Sequence, residues 1–410
     1  MKKLWILNHY AQEPGGAGGT RHFSLARYLK SYGWNSTIIA ASVDHQSGKQ
    51  RLADNEQSRL DVCQDVPFLW LKTSAYSGNG GGRMINMLQY AWQLVKPGTL
   101  SKLDKPDLIF ASSVHLFTGL AGVFLAWRLK VPCVFEVRDL WPQTLVDMGR
   151  IRDSDFITRV LRVIEKFIYK RSKRIVVLLP EAWRYIVPLG IPKEQIVWLP
   201  NGVDLEGFAF YPLSHEKPRQ RFELMYFGAH GQANGLESVL EAMHVLKLRG
   251  LGQNVVLRMI GDGPLKNQLQ AQAAAMQLDN VLFEASVKKS EIPNLAREAD
   301  AFIISVLDLP NLYRFGISMN KIFDYMAAGR PTIIASSAIN NPIAEADGGI
   351  TVSPDNPEEM ADAIVKLADL NRDELSLMGV AARRYVESNH EYQKLALKLA
   401  GVLNDVANEA

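Results

Sequence analysis

The fold is decided by Tyr313-Arg-Phe-Gly-Ile-Ser-Met-Asn-Lys-Ile-Phe-Asp-Tyr-Met-Ala-Ala-Gly-Arg-Pro-Thr-Ile333. This stretch predicts a loop, then a short helix, then a buried strand. Ser318 can cap the helix at its start, and Gly329 can close it. Pro331 forbids its continuation, so the strand follows directly.

The same helix carries two charged side chains that point to a ligand. Lys321 and Asp324 are three residues apart and therefore share one helix face. The free N–H groups of a helix N-terminus attract an anion, and Lys321 adds a full positive charge beside them. Asp324, one turn deeper, can accept hydrogen bonds from the hydroxyls of a ribose. The alternative is an ordinary surface Lys–Asp pair, but the whole run favours a nucleotide diphosphate.

Length and composition limit the class of protein. The 410 residues exceed the size at which one hydrophobic core stops growing, so two domains are expected. Hydrophobic content is 47% and charged content 22%, as in an average soluble protein. The net charge of +3 argues against a general nucleic-acid binder. Cys63 and Cys133 form no CxxC pattern, which disfavours a zinc site or disulfide framework and indicates a reducing compartment.

No targeting segment is recognisable in the sequence. The apolar run after the basic start is too short for a secretory signal. The longest apolar stretch, Leu116–Trp127, is too short for a bilayer, which requires about 20 residues. We therefore expect a cytoplasmic protein, and leave open a peripheral contact with the inner face of the membrane.

Short apolar strands alternate with helical patterns along the chain. This alternation predicts βαβ units and parallel sheets, an α/β architecture with two doubly wound, Rossmann-like domains facing each other across a cleft. The pattern breaks near Pro200-Asn-Gly-Val-Asp204 and restarts at Phe222. We expect one domain over residues 1–207, completed by a last helix at 391–410, and another over 208–390.

A glycine-rich turn follows the first strand. It contains Gly15, Gly16, Gly18 and Gly19, which allow close approach of a ligand to the backbone. Its position before a helix predicts contact with a diphosphate or an acceptor; a flexible surface turn is the alternative. It departs from the dinucleotide fingerprint, because the third glycine position falls on Arg21. Only Asp44, after the second strand, keeps a dehydrogenase open.

The matching turn of the second half is Phe227-Gly-Ala-His-Gly-Gln-Ala-Asn-Gly-Leu-Glu237. Gly228 and Gly231 again leave the backbone bare near a ligand. His230 and Asn234 can donate hydrogen bonds to phosphate. A solvated loop histidine is the alternative for His230.

A tight turn at Gly261-Asp262-Gly263 follows another strand of the second half. Pro264 then begins a helix at a position that tolerates proline. We expect this turn at the same sheet edge as His230, with Asp262 as either a turn residue or a ligand.

Charged residues follow a buried strand of the first half in Phe135-Glu-Val-Arg-Asp-Leu-Trp-Pro-Gln143. Charge at the end of a buried strand is costly unless it is paired or used. Arg138 and Asp139 are thus either an internal salt bridge or cleft residues, and we favour the cleft. His115, which follows the preceding strand, points the same way, with a structural histidine as the equal alternative.

The sequence offers weak support for metal and membrane sites. Asp153-Ser-Asp155 has a metal-binding spacing but begins a helix, so helix capping is simpler and no metal is predicted. Basic and apolar residues interleave in Arg83–Lys96 and in the helix Phe156–Arg171. Both segments suit anionic lipid; core-facing helices with solvated charges are the alternative.

Together these motifs resemble the family 4 retaining glycosyltransferases of GT-B fold. The resemblance rests on the glycine turn, Pro200-Asn-Gly-Val-Asp204, Gly261-Asp-Gly-Pro264 and Asp324-Tyr-Met-Ala-Ala-Gly-Arg-Pro331, which occur in the family's order. Arg138-Asp-Leu-Trp-Pro142 and Ser318-Met-Asn-Lys-Ile-Phe-Asp324 are similar to a WbuB-like subgroup that adds N-acetylfucosamine or related sugars.

The resemblance implies a role for each site residue. Donor binding would involve Gly228, His230, Gly231, Asn234, Gly261, Asp262, Gly263, Arg314, Ser318, Lys321 and Asp324. The family's first glutamate falls on Gly316, and its diphosphate-clamping Arg and Lys are absent, so Lys321 with Arg314 would neutralise the diphosphate. Arg138 and Asp139 stand where the family has a histidine.

The implied reaction is transfer of a sugar from a nucleoside diphosphate sugar, with retained configuration and no metal or other cofactor. The acceptor would be a lipid-linked saccharide in O-antigen or capsule synthesis, oriented by Asp139 or His115. An epimerase of the same fold would release altered sugar without an acceptor. A non-catalytic binding subunit is the third reading, and Gly316 is its support.

Overall fold

The computed structural model describes residues 1–15, 20–45, 47–76, 78, 80–113, 115–213 and 220–409. These divide into two units, Met1–Pro200 with Tyr392–Ala410, and Asn201–Glu391. The division lies slightly before the boundary expected after residue 207. Gly16, Gly18 and Gly19 lie outside the described residues.

The first unit is built on a mainly parallel sheet. Its strands are β1 (Lys2–Leu7), β2 (Trp34–Ala41), β3 (Ser58–Cys63), β4 (Val66–Leu71), β5 (Leu108–Ser112), β6 (Cys133–Val137), β7 (Arg174–Val177) and β8 (Ile196–Trp198). The order across the sheet is β3-β4-β2-β1-β5-β6-β7-β8. The order reverses between β1 and β5, which makes the carboxyl ends of these two strands the place where ligands bind in such sheets.

An edge hairpin departs from the expected parallel pattern. β3 pairs with β4 in antiparallel register, from Ser58 opposite Leu71 to Cys63 opposite Val66. The turn residues Gln64 and Asp65 have φ of +44° and +67°, as a two-residue type I′ turn requires. β3 was not predicted from the sequence because Gln-Asp is not a typical hairpin pair and the strand is only partly buried.

Helices cover both faces of this sheet. They are α1 (Arg21–Leu29), α2 (Gly81–Val95), α3 (Leu116–Leu129), α4 (Gln143–Asp147), α5 (Phe156–Arg171) and α6 (Trp183–Ile186). The central strands are therefore buried on both sides, as Phe110 and Val134 on one face and Ile109 and Phe135 on the other illustrate.

The second unit has a fully parallel sheet. Its strands are β9 (Phe222–Phe227), β10 (Val255–Ile260), β11 (Val281–Glu284), β12 (Ala301–Ser305), β13 (Thr332–Ala335) and β14 (Gly349–Val352). Their order is β11-β10-β9-β12-β13-β14, with the reversal between β9 and β12. Alternate residues enter two cores: Leu224 and Tyr226 pack on one face, Met225 and Phe227 on the other.

The helices of this unit complete the alternation. They are α7 (Leu236–Leu248), α8 (Lys266–Ala275), α9 (Ile292–Ala296), α10 (Pro310–Tyr313), α11 (Asn320–Ala328), α12 (Pro342–Glu345), α13 (Pro357–Ala368) and α14 (Arg372–Asn389). The helix and strand predicted around Lys321 correspond to α11 and β13. Gly329 closes α11 with φ of +67°, as the sequence predicts.

The final helix, α15 (Tyr392–Asn408), belongs to the first unit. Its buried residues include Leu395, Leu399 and Leu403, which recur every four positions and form one apolar face. This face joins the core that contains α1, and Trp34 Nε1 donates to Asn404 Oδ1 at 3.1 Å.

Candidate active site

The predicted donor residues of the second unit lie around the reversal point of its sheet. His230 and Asn234 follow β9, Asp262 follows β10, and Lys321 lies in the first turn of α11. Ligands of open parallel sheets bind outside the carboxyl ends of the strands at such a point. The fold therefore brings Lys321 and the turn after β9 to one place, as the contacts below establish.

Lys321 is held by neutral groups. Its Nζ donates to Asn234 Oδ1 at 2.6 Å and to Tyr226 Oη at 2.9 Å, and lies 4.6 Å from the centroid of the Tyr226 ring. None of the ion pairs found among the described residues includes Lys321. Burial lowers the pKa of Lys321 to about 7. The ammonium group thus lacks a compensating negative charge, which an anionic ligand would supply.

Asn234 positions the lysine through its side-chain amide. Its Nδ2 donates to the carbonyl of Ala229 at 2.8 Å, and this bond turns Oδ1 toward Lys321. Oδ1 and one N–H of Nδ2 are therefore occupied, and the amide has a second N–H that could donate. Asn234 thus supports Lys321, while its predicted role as a phosphate donor stays a prediction.

His230 is buried, not solvated. Its side chain is 0% exposed, and neither ring nitrogen has a hydrogen-bond partner among the described residues. Burial lowers its pKa, and the nearby positive charges of Lys266 and Lys321 act in the same direction. A buried polar atom without a partner costs about 1–3 kcal/mol, so such an atom points to a ligand or water that completes it.

Two of the glycines in these turns have a packing reason. A Cβ on Gly261 would lie 1.9 Å from the carbonyl oxygen of Gly228, and one on Gly263 would lie 2.5 Å from that of His230. The turns after β9 and β10 therefore lie side by side only because Gly261 and Gly263 carry no side chain. Asp262 is exposed at the tip, and its carbonyl accepts from the His230 N–H at 2.8 Å.

Gly228 and Gly231 differ in what surrounds them. A Cβ on Gly228 would lie 2.9 Å from Tyr226 Oη and 3.2 Å from Lys321 Nζ, so this glycine makes room for the lysine. A Cβ on Gly231 would meet only Asn234 Nδ2, at 3.9 Å, among the described atoms. Packing therefore explains glycine at 228 but not at 231.

Ser318 does not cap α11, so that prediction was wrong. The helix starts at Asn320 after Met319, and no side chain caps it. Ser318 Oγ instead accepts from the backbone N–H of Asn201 at 2.9 Å, while its carbonyl accepts from Asn201 Nδ2 at 2.5 Å. Ser318 thus ties the loop before α11 to the Pro200–Asp204 segment.

The other predicted donor residues lie apart from the Lys321 contacts. Asp324, with its side chain 12% exposed, forms an ion pair with Lys289 at 3.4 Å. Arg314 is exposed, with its guanidinium 4.7 Å from the Phe315 ring centroid. Gly316 has φ of +113°, a conformation in which the family's glutamate would be strained.

Two polar residues near this site escaped the sequence analysis. Lys266 Nζ donates to the carbonyls of Gly261 and Glu284, both at 2.7 Å, and so holds the turn after β10. Ser305 ends β12 at the reversal point, and its buried hydroxyl has no partner among the described residues. Lys266 could have been found from the sequence, because it begins a helix after the glycine turn. Ser305, a serine at the end of an apolar strand, gives only a weak signal.

In the first unit, the predicted His115 follows β5 at the reversal point and is fully buried. Its Nε2 lies 2.8 Å from Nδ1 of His9, which follows β1. His9 Nε2 in turn lies 2.6 Å from Asn86 Oδ1 on α2. His9 and Asn86 were missed because nothing in the sequence links positions so far apart.

Arg138 and Asp139 follow β6, as predicted, but they form no ion pair with each other among the described contacts. Arg138 is half-buried, and its backbone N–H donates to Ser113 Oγ at 3.1 Å. Asp139 is exposed. The salt-bridge alternative is therefore wrong here, and both side chains remain candidates for a ligand.

The buried charge of this region is Glu136, which the sequence analysis passed over. Burial would raise its pKa, but Arg21 and His22 hold it well below its usual range. Arg21 Nε donates to Oε1 at 2.8 Å, and His22 Nε2 lies 2.7 Å from Oε2. Arg21 also donates to the carbonyl of Leu199 at 2.9 Å. This network anchors the residues that follow the glycine-rich turn. Gly15, the first glycine of that turn, is exposed and has φ of +109°.

An apolar groove lies between α2, α3 and α5 of the first unit. Its volume is about 700 Å³, and its walls include Trp92, Phe124, Trp127, Phe167 and Arg171. Trp127 is 74% exposed and Trp92 62%, so these rings face solvent rather than a core. Helix α2 therefore buries Met87, Tyr90 and Leu94 in the core and exposes the apolar ring of Trp92 at the groove.

Within the described ranges, His, Cys, Asp and Glu side chains do not form a cluster of three suited to a metal ion. Asp155 precedes α5, but its carboxylate accepts from the Arg152 N–H at 2.8 Å instead of capping the helix. The helices within the same ranges are all too short or too polar to cross a bilayer.

Comparison with known proteins assigns both halves of the chain. Residues 16–202 match the family model described as "Glycosyl transferase 4-like domain". Residues 221–369 match the model described as "Glycosyl transferases group 1". The chain belongs to the glycosyltransferases. These matches support the expected family 4 membership, but they do not support the WbuB-like subgroup.

Curated relatives of this glycosyltransferase are distant. The chain is 22% identical over 322 residues to a protein of Pseudomonas aeruginosa named as the glycosyltransferase WbjE, covering 76% of this chain and 77% of WbjE. It is 26% identical over 217 residues to one of Escherichia coli K12 named as the colanic acid biosynthesis glycosyltransferase WcaL, covering 52% of each.

Solved structures share the fold of this glycosyltransferase. Sucrose-phosphate synthase from Thermosynechococcus elongatus superposes with a TM-score of 0.77 at 16% identity, covering 100% of both chains. Anabaena HepE in complex with UDP and glucose gives 0.67 at 13% identity, covering 98% of this chain and 100% of HepE. WaaG, from lipopolysaccharide biosynthesis, gives 0.66 at 16%, covering 97% and 99%. The predicted GT-B fold is confirmed.

Proposed function

We propose that this glycosyltransferase moves a sugar from a nucleoside diphosphate sugar to a hydroxyl of a saccharide acceptor, with retained anomeric configuration. The second unit would bind the donor and the first the acceptor. The observation that carries the proposal is Lys321, held by Tyr226 and Asn234 without a counter-ion beside the unpartnered ring of His230. A diphosphate would supply the missing negative charge for Lys321 and a hydrogen-bond acceptor for the ring N–H of His230.

The chemistry of transfer suits such a site. The bond between the sugar's anomeric carbon and the diphosphate breaks, and a bond from the acceptor oxygen to that carbon forms on the same face. The acceptor's proton passes to the departing phosphate oxygen, so no strong protein base is needed. Groups that stabilise charge developing on the leaving group lower the barrier, which is the role of Lys321 and the α11 N–H groups. This route requires no metal.

Donor and acceptor identities extend the proposal. HepE, which shares the fold, was solved with UDP and glucose, and this supports UDP as the carrier. The resemblance to the WbuB-like subgroup supports an N-acetylated hexosamine or deoxyhexosamine. WcaL is named for colanic acid biosynthesis and WaaG for lipopolysaccharide biosynthesis, which supports O-antigen, capsule or related polysaccharide synthesis. The acceptor would then be a polyprenyl-diphosphate-linked saccharide. Arg138, Asp139 and His115 would orient this acceptor.

A peripheral contact with anionic membrane at the cytoplasmic face completes the proposal. Trp92 and Trp127 expose their rings beside the apolar groove, and the exposed cations Arg128, Lys170 and Arg171 lie on the helices that form it. Aromatic rings favour the membrane interface, and lysine and arginine favour anionic headgroups. A lipid-linked acceptor would be met at that surface.

The test of transfer uses four donor classes. Purified protein is incubated with UDP-, GDP-, dTDP- and ADP-sugars, with and without a lipid extract that contains polyprenyl-diphosphate-linked saccharides. We expect one carrier to release nucleoside diphosphate much faster with the extract, and NMR of the product to give the donor's anomeric configuration. Release without any dependence on the extract would favour the epimerase instead.

A further inference from the structure

The contact between His9 and His115 bridges the two strands at the reversal point of the first sheet. His9 follows β1 and His115 follows β5, and their rings meet through Nδ1 and Nε2 at 2.8 Å. Both side chains are buried, at 1% and 0% exposure. Two imidazoles joined in this way must agree on which nitrogen carries the hydrogen.

Asn86 decides where the hydrogen of His9 lies. Asn86 Nδ2 donates to the carbonyl of Ser74 at 2.6 Å, so its Oδ1 is turned to Nε2 of His9, also at 2.6 Å. An amide oxygen only accepts hydrogen bonds, and Nε2 of His9 must therefore carry hydrogen. Burial lowers the pKa of His9 well below its usual value, as does the neighbouring His115 ring, so the ring is neutral and Nδ1 is bare.

The hydrogen bond from His115 to His9 also fixes which ring nitrogen of His115 carries hydrogen. The bare Nδ1 of His9 accepts a hydrogen bond, so Nε2 of His115 must donate it. Burial lowers the pKa of His115 to about 3, and this ring is also neutral at pH 7. Its Nδ1 then holds a lone pair. That atom is buried and lacks a partner among the described residues.

We propose that Asn86 and His9 are positioning residues that hold His115 in its Nε2–H tautomer, so that Nδ1 accepts a hydrogen bond from a hydroxyl of the sugar substrate. The identity of that ligand rests on the proposed function, whereas the tautomer does not. The chain Ser74–Asn86–His9–His115 starts at a backbone carbonyl and ends at the lone pair. Each hydrogen bond fixes the next, so the lone pair of His115 Nδ1 is oriented before the sugar substrate binds.

Side-chain NMR of ¹⁵N-histidine-labelled protein at pH 7 tests the tautomers directly. We expect both His9 and His115 to carry hydrogen on Nε2 and none on Nδ1, assigned with His9→Gln and His115→Gln variants. In Asn86→Ala we expect both rings to become mixtures of tautomers. An imidazolium at His115, hydrogen on its Nδ1, or unchanged tautomers in Asn86→Ala would overturn the proposal.

Gln89 provides a matched control on the same helix. Its Oε1 accepts from the Ser74 N–H and its Nε2 donates to Ser74 Oγ, both at 2.7 Å, so it also binds Ser74 but does not touch His9. Gln89→Ala should leave both tautomers as they are in the unmodified protein. If Gln89→Ala and Asn86→Ala change the spectra equally, the effect is structural and the relay is refuted.

Measured turnover distinguishes the positioning role of the Ser74–Asn86–His9–His115 chain from the proposed function. With the donor and lipid extract that support transfer, Asn86→Ala and His115→Ala should each lower kcat about 10-fold, the size expected for one lost neutral hydrogen bond. KM for the donor should not change, and Gln89→Ala should retain the unmodified kcat. Full turnover in Asn86→Ala would overturn the positioning role. Absence of turnover with every donor would refute the proposed function, while the spectra would still decide the tautomer.

Discussion

Lys321 Nζ lies 2.6 Å from the amide oxygen of Asn234, and the described residues supply it with hydrogen bonds but with no ion pair. A buried cation is usually paired, because leaving water costs more than neutral hydrogen bonds return. The other hydrogen-bond partner of Lys321, the phenol of Tyr226, is itself buried. The arrangement leaves the positive charge available at the reversal point of the sheet.

Proton uptake should accompany nucleotide binding above pH 7. The folded pKa of Lys321 is about 7, against 10.5 for an ordinary lysine, and a bound diphosphate would raise it. Binding between pH 7.5 and 9 must then take up a proton, and affinity should fall as pH rises, by at most about tenfold per unit. Calorimetry of UDP binding at pH 8, in buffers of different ionisation enthalpy, measures this uptake.

The unfolding free energy of the nucleotide-free protein should depend on pH in the opposite direction to the nucleotide affinity. Between pH 7 and about 10 the folded state binds fewer protons at Lys321 than the unfolded state does, so this residue makes the unfolding free energy rise with pH. Lys321→Met should remove that rise and the proton uptake together. Equal proton uptake in Lys321→Met and in the unmodified protein would contradict the assignment.

His230→Phe should stabilise the free protein and weaken nucleotide binding. The phenyl ring removes two buried nitrogens that lack partners, which should raise the unfolding free energy by about 1 kcal/mol or more. The same change removes a hydrogen-bonding group from the proposed phosphate site. Urea unfolding and calorimetry with UDP give the two values.

His390→Phe is the matched control in the same unit. His390 is also buried, at 3% exposure, but its Nδ1 lies 3.1 Å from the carbonyl of Asn201. This variant should be destabilised, by about 1–3 kcal/mol, because it leaves that carbonyl unpaired. A destabilised His230→Phe protein with full affinity for UDP would show that His230 is only a structural residue.

Gly261→Ala should damage the second unit. The new methyl group would lie 1.9 Å from the carbonyl oxygen of Gly228, at a φ of +150° that L-residues rarely adopt. Overpacking and backbone strain together predict a loss of roughly 2–5 kcal/mol in unfolding free energy. Gly401→Ala in α15 meets nothing within 4 Å and should be neutral or slightly stabilising in the same urea titration.

Trp92→Ser and Trp127→Ser should each weaken binding to vesicles of phosphatidylglycerol and phosphatidylcholine. Removing one inserted indole should cost about 2 kcal/mol of partition free energy, measured by sedimentation with the vesicles. Added salt should weaken binding further, because the cations act on anionic headgroups. Leu377→Ser is the control, since Leu377 is 70% exposed but lies on α14 of the other unit. Equal loss in all three variants would refute the groove as the membrane contact.

Most of the fold could be predicted because parallel strands carry a strong local pattern. The strand pattern restarts at Phe222, as expected, and β9 and β10 are mostly apolar runs that each end at a glycine. β3 was missed because an edge strand buries little surface. The short helices α4, α10 and α12 were missed because a single turn leaves no periodicity.

The candidate site could be predicted only in part. Lys321 and His230 were found because helix starts and βα turns place them at a sheet edge. The partners that decide their chemistry are distant in sequence: Tyr226 and Asn234 for Lys321, and His9 for His115. Ser318 was misassigned as a cap because its actual hydrogen-bond partner, Asn201, lies far away along the chain.

Binding of nucleotides to Lys321→Met tests the central assignment most directly. UDP, GDP, dTDP and ADP are titrated by calorimetry into the unmodified protein, Lys321→Met, and the control Lys247→Met, whose Nζ binds the carbonyls of Met276 and Gln277 at the end of α7. We predict that at least one nucleotide binds, that Lys321→Met weakens it about 10- to 100-fold, as expected for a lost charged hydrogen bond, and that Lys247→Met does not. Affinity in Lys321→Met equal to that of the unmodified protein would contradict the account.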